Sequence, residues 1–214
     1  ISTVGGTVAV FGSDPIVTIA AVWMANLLMI GLIHAGLKRR NQRWAHLGLE
    51  WAWPTIRSVL RVFLLSLPVF VCSIGAFVIA AVVMANLVGM PEAADMSKYD
   101  YLRGNLPMTV LALASVYCVS SFAEEVIYRG FMITRIREAA GDRAASTPLA
   151  VVISSAVFGL VHSDWGITGM VLATFMGAAL GTSFLIVRRN LWITILAHAY
   201  MDTILVLQMY FAAP

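Results

Sequence analysis

The sequence predicts an all-α polytopic membrane protein, a bundle of about six transmembrane helices with an interfacial amphipathic segment. Three observations predict it. Apolar residues make up 60% of the 214-residue chain and charged ones only 12%, whereas soluble chains are about a quarter charged. Uncharged runs recur six times along the chain, several close to the roughly 20 residues with which a helix spans a bilayer. The basic residues gather on alternate connections between those runs, the pattern of the positive-inside rule.

The runs cover residues 16–37, 62–90, 106–123, 144–161, 165–187 and 190–197, the last resuming past His198 and Asp202. Each predicts one helix, the fourth short and the sixth interrupted by polar side chains. Residues 1–11 are apolar without a basic leader or a following cleavage pattern, so no retained signal peptide is expected there. Pro107 and Pro148 sit where a first helical turn tolerates them, at the starts of the third and fourth helices. Gly169, Ala173, Gly177 and Gly181 recur every four residues in the fifth, a stripe that lets helix backbones approach closely. No repeat or second domain interrupts this order, so residues 1–214 read as a single integral membrane domain.

Lys38, Arg39, Arg40, Arg43, Arg57 and Arg61 lie between the first two helices, Arg129, Arg135, Arg137 and Arg143 after the third, and Arg188 and Arg189 after the fifth. Only Lys98 and Arg103 fall on the opposite side, so 12 of the 14 basic residues orient the chain with both termini outside the cytoplasm. The net charge of +3 follows from this topology and implies no nucleic-acid partner. The first basic connection also carries three tryptophans, which suits a segment lying among lipid headgroups. His34 and His46 belong to this interface as structural residues. Cys72 and Cys118 fall inside predicted helices and are expected to pack in the core, neither bridged nor metal-bound.

Few ionisable residues remain at membrane depth: Glu124, Glu125, His162, His198 and Asp202, with Arg129 just beyond. A charge at the bilayer centre costs at least about 2.5–3.5 kcal/mol, so their grouping calls for a common cause. At 1.5 Å per residue, Glu124 lies about 16 Å from Arg135, His162 about 21 Å from Pro148, and His198 and Asp202 about 12 and 18 Å from Asn190. Three helices thus bring polar groups to a similar level. Glu125 with Arg129, and His198 with Asp202, are four apart and share helix faces. Pairing of Glu125 with Arg129 leaves Glu124 as the candidate reactive acid. A carboxylate base with imidazoles to polarise a carbonyl suffices to turn water on an amide. No serine elbow, intramembrane aspartate pair or H-E-x-x-H helix offers another protease chemistry. A proton-coupled transporter would spread polar groups along a path, and here they cluster at one level.

Glu124-Glu125-x-x-x-Arg129, Phe158-x-x-x-His162 and His198-x-x-x-Asp202, in that order, resemble the three motifs of the CAAX-processing and bacteriocin-processing (CPBP, or Abi) intramembrane proteases. The resemblance covers about residues 105–212. It implies an endopeptidase acting on a hydrophobic or lipidated peptide, CAAX-like or leader-like, in a prokaryotic plasma membrane. By that likeness Glu124 and His162 activate water, His198 and Asp202 stabilise the oxyanion, and Glu125 and Arg129 hold the site or touch substrate. Two chemistries stay open: a metal-free glutamate mechanism, and a divalent metal such as Zn held by Glu124, His162, His198 and Asp202. The family's last motif more often ends in Asn, and Asp202 can donate to an oxyanion only when protonated. The alternative function is a catalytically silent protein of this fold, an immunity factor or the subunit of a membrane protein partner.

Overall fold

The structure, a computed structural model, describes residues 15–50, 54–89, 97–141 and 143–212. The apolar segment at residues 1–11, Trp51 and Trp53 and residues 90–96 of the 89–105 loop lie outside the described residues. Six helices carry the fold: α1 (Pro15–Arg39), α2 (Ile56–Val88), α3 (Leu106–Ala140), α4 (Ser146–Leu160), α5 (Gly166–Ile186) and α6 (Leu191–Phe211). Among the described residues, α2, α3, α5 and α6 are long and apolar enough to cross a membrane. The fold class is the one the sequence predicts.

Helix ends follow local chemistry. Thr55 accepts a hydrogen bond from the Ser58 amide, Asn105 from Met108 and Asn190 from Trp192, each satisfying an orphan N–H of a first turn. Gly89 closes α2 with a positive φ of 83°. With 33 residues, α2 is about 50 Å long, more than the roughly 30 Å hydrocarbon layer. With 15 residues, α4 is about 22 Å and stops short of a full crossing.

The third helix departs most from expectation. It starts and ends as α-helix, but Tyr117–Met132 is wound as a π-helix, with i→i+5 bonding that is rare and favours functional sites. This winding rises less per residue than α-helix, so the 16 Å depth expected for Glu124 is too large. The sixth helix is continuous through His198 and Asp202 rather than interrupted.

Small residues let the central helices meet. A Cβ at Gly159 of α4 would collide with Thr174 Oγ1 and come within 2.5 Å of the Met170 carbonyl, while one at Gly177 of α5 would press on Phe158 and one at Gly181 on Ile133 and Val151. Phe158, Ala173, Met176, Leu180, Ile193, Ala197 and Met201 form the core where α2, α4, α5 and α6 converge. The connection after α1 does more than rest at the interface. Leu47 and Leu49 are buried in the bundle, and the Gly48 carbonyl accepts the Leu191 amide. His34, exposed, stacks on Trp44.

Large apolar side chains such as Leu28, Val71, Ile79, Val152 and Ile186 face outward, as in a bundle whose solvent is lipid. Ser73, Ser155, Thr174 and Thr203 turn their hydroxyls back onto carbonyls four residues earlier, satisfying themselves where water is absent. One expectation is corrected here. Cys72 and Cys118 are free and exposed on the outer surface, because lipid accepts a small apolar thiol as readily as a core does.

Candidate active site

The π-wound part of α3 carries Ser121, Glu124, Glu125, Tyr128 and Arg129 into the bundle against α6. Arg129 and Glu125 are buried, the guanidinium 2.7 Å from Glu125 Oε1. This is a close ion contact without an aligned hydrogen bond, since Arg129 Nη1 has no hydrogen-bond partner. Arg129 Nη2 donates to the Gly177 carbonyl at 3.4 Å, and its guanidinium carbon stands 4.4 Å from the centre of the Phe158 ring. Carboxylate, carbonyl and ring together compensate a cation that the interior would otherwise reject.

Glu125 Oε1 also receives His198, whose Nδ1 lies 3.0 Å away. A carboxylate accepts only, so Nδ1 is the donor and the ring orientation of His198 is fixed. Its Nε2 then faces Asp202, 3.8 Å from Oδ1. Asp202 is anchored in turn by Ser121, which donates to Oδ2 at 2.7 Å. A chain of contacts thus runs Arg129–Glu125–His198–Asp202–Ser121, linking α3 to α6 twice.

Glu124 stands apart from this chain. Its Oε2 is buried with no hydrogen-bond partner, although Glu124 is within electrostatic reach of His198, Asp202, Arg129 and Glu125. His162 is placed by the turn after α4, not by the helix as the sequence suggested: α4 ends at Leu160, and His162 has φ −92° and ψ 24°. Its Nδ1 donates to the Phe158 carbonyl at 2.7 Å, which leaves Nε2 as the nitrogen with a free lone pair when the ring is neutral. Phe158 is the hub of the site. Its ring meets Tyr128, His162 and His198 at centroid distances of 5.1, 4.7 and 6.2 Å, besides Arg129.

All six residues singled out in the sequence therefore face one region, with His162 in reach of His198, Arg129 and Asp202. Sequence reasoning missed Ser121 and Tyr128. Ser121 lies four residues before Glu125, but its partner is Asp202 of α6, which no spacing within α3 shows. Among the described residues, no three His, Cys, Asp or Glu side chains are grouped to hold a metal ion. Glu124, His162, His198 and Asp202 as arranged here are not a ready ligand set.

Comparison with known proteins adds an independent finding. Residues 106–204 match the family model described as type II CAAX prenyl endopeptidase, Rce1-like, a span that contains every residue of the site. No curated protein and no solved structure matches the chain. Residues 106–204 are thus similar to the Rce1-like type II CAAX prenyl endopeptidases, and the chain that holds them is an integral membrane protein.

Proposed function

We propose that the chain hydrolyses a peptide bond in a hydrophobic or lipidated substrate through water activated by Glu124, without a metal. One observation carries this reading: of two adjacent carboxylates, each with a buried oxygen that lacks a partner, Glu125 is committed through Oε1 to Arg129 and His198, while Glu124 makes no hydrogen bond or ion pair among the described residues. A desolvated, uncommitted carboxylate is suited to take a proton.

Glu124 removes a proton from water as the oxygen attacks the scissile carbonyl carbon, and His162 Nε2 accepts the water's second hydrogen bond. Negative charge develops on the carbonyl oxygen, where His198 donates from Nε2. Donation from both nitrogens requires the imidazolium, and the carboxylates of Glu125 and Asp202 flank it. In this role Asp202 is a counter-charge held by Ser121 rather than an oxyanion donor. Collapse of the intermediate breaks the C–N bond, and the proton on Glu124 passes to the leaving amine. Proton transfer by a positioned group contributes about 10²–10⁴-fold, and an oxyanion donor about 10²–10³-fold.

The basic end of the bundle faces the cytoplasm in this reading, and substrate enters from the bilayer. The test is cleavage of hydrophobic and prenylated peptides by purified protein in liposomes. Glu124→Gln should lose at least about 100-fold in rate, and chelation should leave the wild type active. Full activity in Glu124→Gln would refute the role of Glu124, and loss on chelation restored by added zinc would refute the metal-free mechanism.

A further inference from the structure

The basic end of the bundle holds a second polar feature, outside the catalytic region. A cavity of about 360 Å³ opens there between the end of α3, the start of α4 and the turn joining α5 to α6. Arg137, Arg143 and Arg189 line it, with Thr134, Ser146 and Thr147 between them.

Positive charge exceeds negative in this space. Glu138 also borders it, but its carboxylate is engaged by Arg135 at 2.7 Å and Arg40 at 3.4 Å. Among the described residues, neither Arg137 nor Arg143 has an ion-pair partner. Asp142, beside Arg143, lies outside the described residues. Arg189 donates from Nη2 to Thr134 and to the His46 carbonyl, which fixes its fork, yet its Nε is buried and unpartnered. Burial and the facing charge of Arg137 disfavour its protonated form.

The backbone around the cavity is strained and open-ended. Arg188 and Arg189 both adopt left-handed conformations, at φ 59° and 62°, a region that glycine or asparagine enters at lower cost. Gly48 is required opposite, because a Cβ there would collide with the Arg189 carbonyl. Helix α4 begins at the cavity with Ala145 as its cap and no capping side chain. The Ser146 hydroxyl is turned away to the Gly141 carbonyl. The Thr147 amide is thus left for an external acceptor at the positive end of the helix.

We propose that this cavity binds the phosphate of an anionic phospholipid headgroup. A phosphodiester suits guanidinium forks, and a basic pocket between helices at the headgroup level is where such lipids dock. An anion there would relieve the repulsion between Arg137 and Arg189 and complete the open end of α4. Lipid is the source because the cavity adjoins an outward apolar surface, with Leu149 exposed one turn into α4. The inference does not depend on the peptidase reading.

The experiment measures thermal unfolding and bound lipid, by native mass spectrometry, for purified protein in detergent. The probes are phosphatidylglycerol, phosphatidylcholine and inorganic phosphate. Wild type should be stabilised saturably by phosphatidylglycerol, far less by the other two, and Arg137→Gln/Arg143→Gln should weaken that binding about tenfold or more. If the double variant does not fold, Arg143→Gln alone is read, since its exposed side chain holds no other residue. Equal stabilisation by both lipids, or by phosphatidylglycerol in wild type and variant alike, would overturn the site. Inorganic phosphate matching phosphatidylglycerol, with the same loss in the variant, would overturn the assignment to lipid.

Discussion

The buried cluster around Arg129 and the arginine cavity at the basic end handle charge in opposite ways. In the first, Arg129 meets a carboxylate, a carbonyl and an aromatic face. In the second, Arg137 and Arg143 are left without ion partners among the described residues and face Arg189 across open space. Depth explains the difference. Within a bundle in lipid no water or counter-ion compensates a charge, so the protein supplies each partner itself. At the headgroup level solvent and lipid can do so, and surplus charge becomes a means of binding. Against that rule Glu124 is the exception: Glu125 also has one unpartnered buried oxygen, but its other oxygen meets Arg129 and His198, whereas Glu124 has no such contact among the described residues, which is why it is assigned the chemistry.

Breaking the buried pairing should have the largest effect. Arg129→Leu leaves Glu125 with His198 as its one remaining contact of this kind and should cost about 3–5 kcal/mol, seen as a lower unfolding midpoint in detergent. Arg143→Gln, a change of the same charge at the open end, should cost less than about 0.5 kcal/mol without added lipid. A comparable loss in both variants would erase the contrast between the two regions.

Asp202→Asn sharpens the contrast by removing a charge while keeping a hydrogen-bond acceptor for Ser121. If Asp202 is the counter-charge of His198, the rate of peptide cleavage should fall, and its pH optimum should shift. A faster variant would instead identify position 202 as an oxyanion donor. Ser121→Ala removes one part-buried hydrogen bond and should cost about 1 kcal/mol, with a several-fold slower reaction at unchanged substrate affinity.

The helical runs, their order and the grouping of polar residues at the candidate site were legible because charge is sparse in this chain and four-residue spacing survives in α6. Four features were not. The π winding of α3 is invisible to a reading built on a 3.6-residue period, since Glu125 and Arg129 share a face in either helix. The end of α4 at Leu160, which puts His162 in a turn, was hidden because Leu160 and Val161 are apolar, and an apolar run does not show where a helix stops inside a membrane. The outward cysteines were misplaced for a related reason: in lipid, hydrophobicity no longer separates the inside of a bundle from its surface. Ser121 was overlooked because a serine is unremarkable in an apolar helix until its partner, Asp202, is seen across from it.

The central claim is that two neighbouring glutamates divide the work, Glu125 holding the site and Glu124 performing the chemistry. Glu124→Gln and Glu125→Gln, measured side by side for unfolding midpoint and peptide cleavage, test it most directly. The account predicts that Glu124→Gln keeps the wild-type midpoint and loses cleavage, whereas Glu125→Gln lowers the midpoint as the Arg129 and His198 contacts fail. A Glu124→Gln protein that cleaves, or a Glu125→Gln protein as stable as wild type, would contradict it.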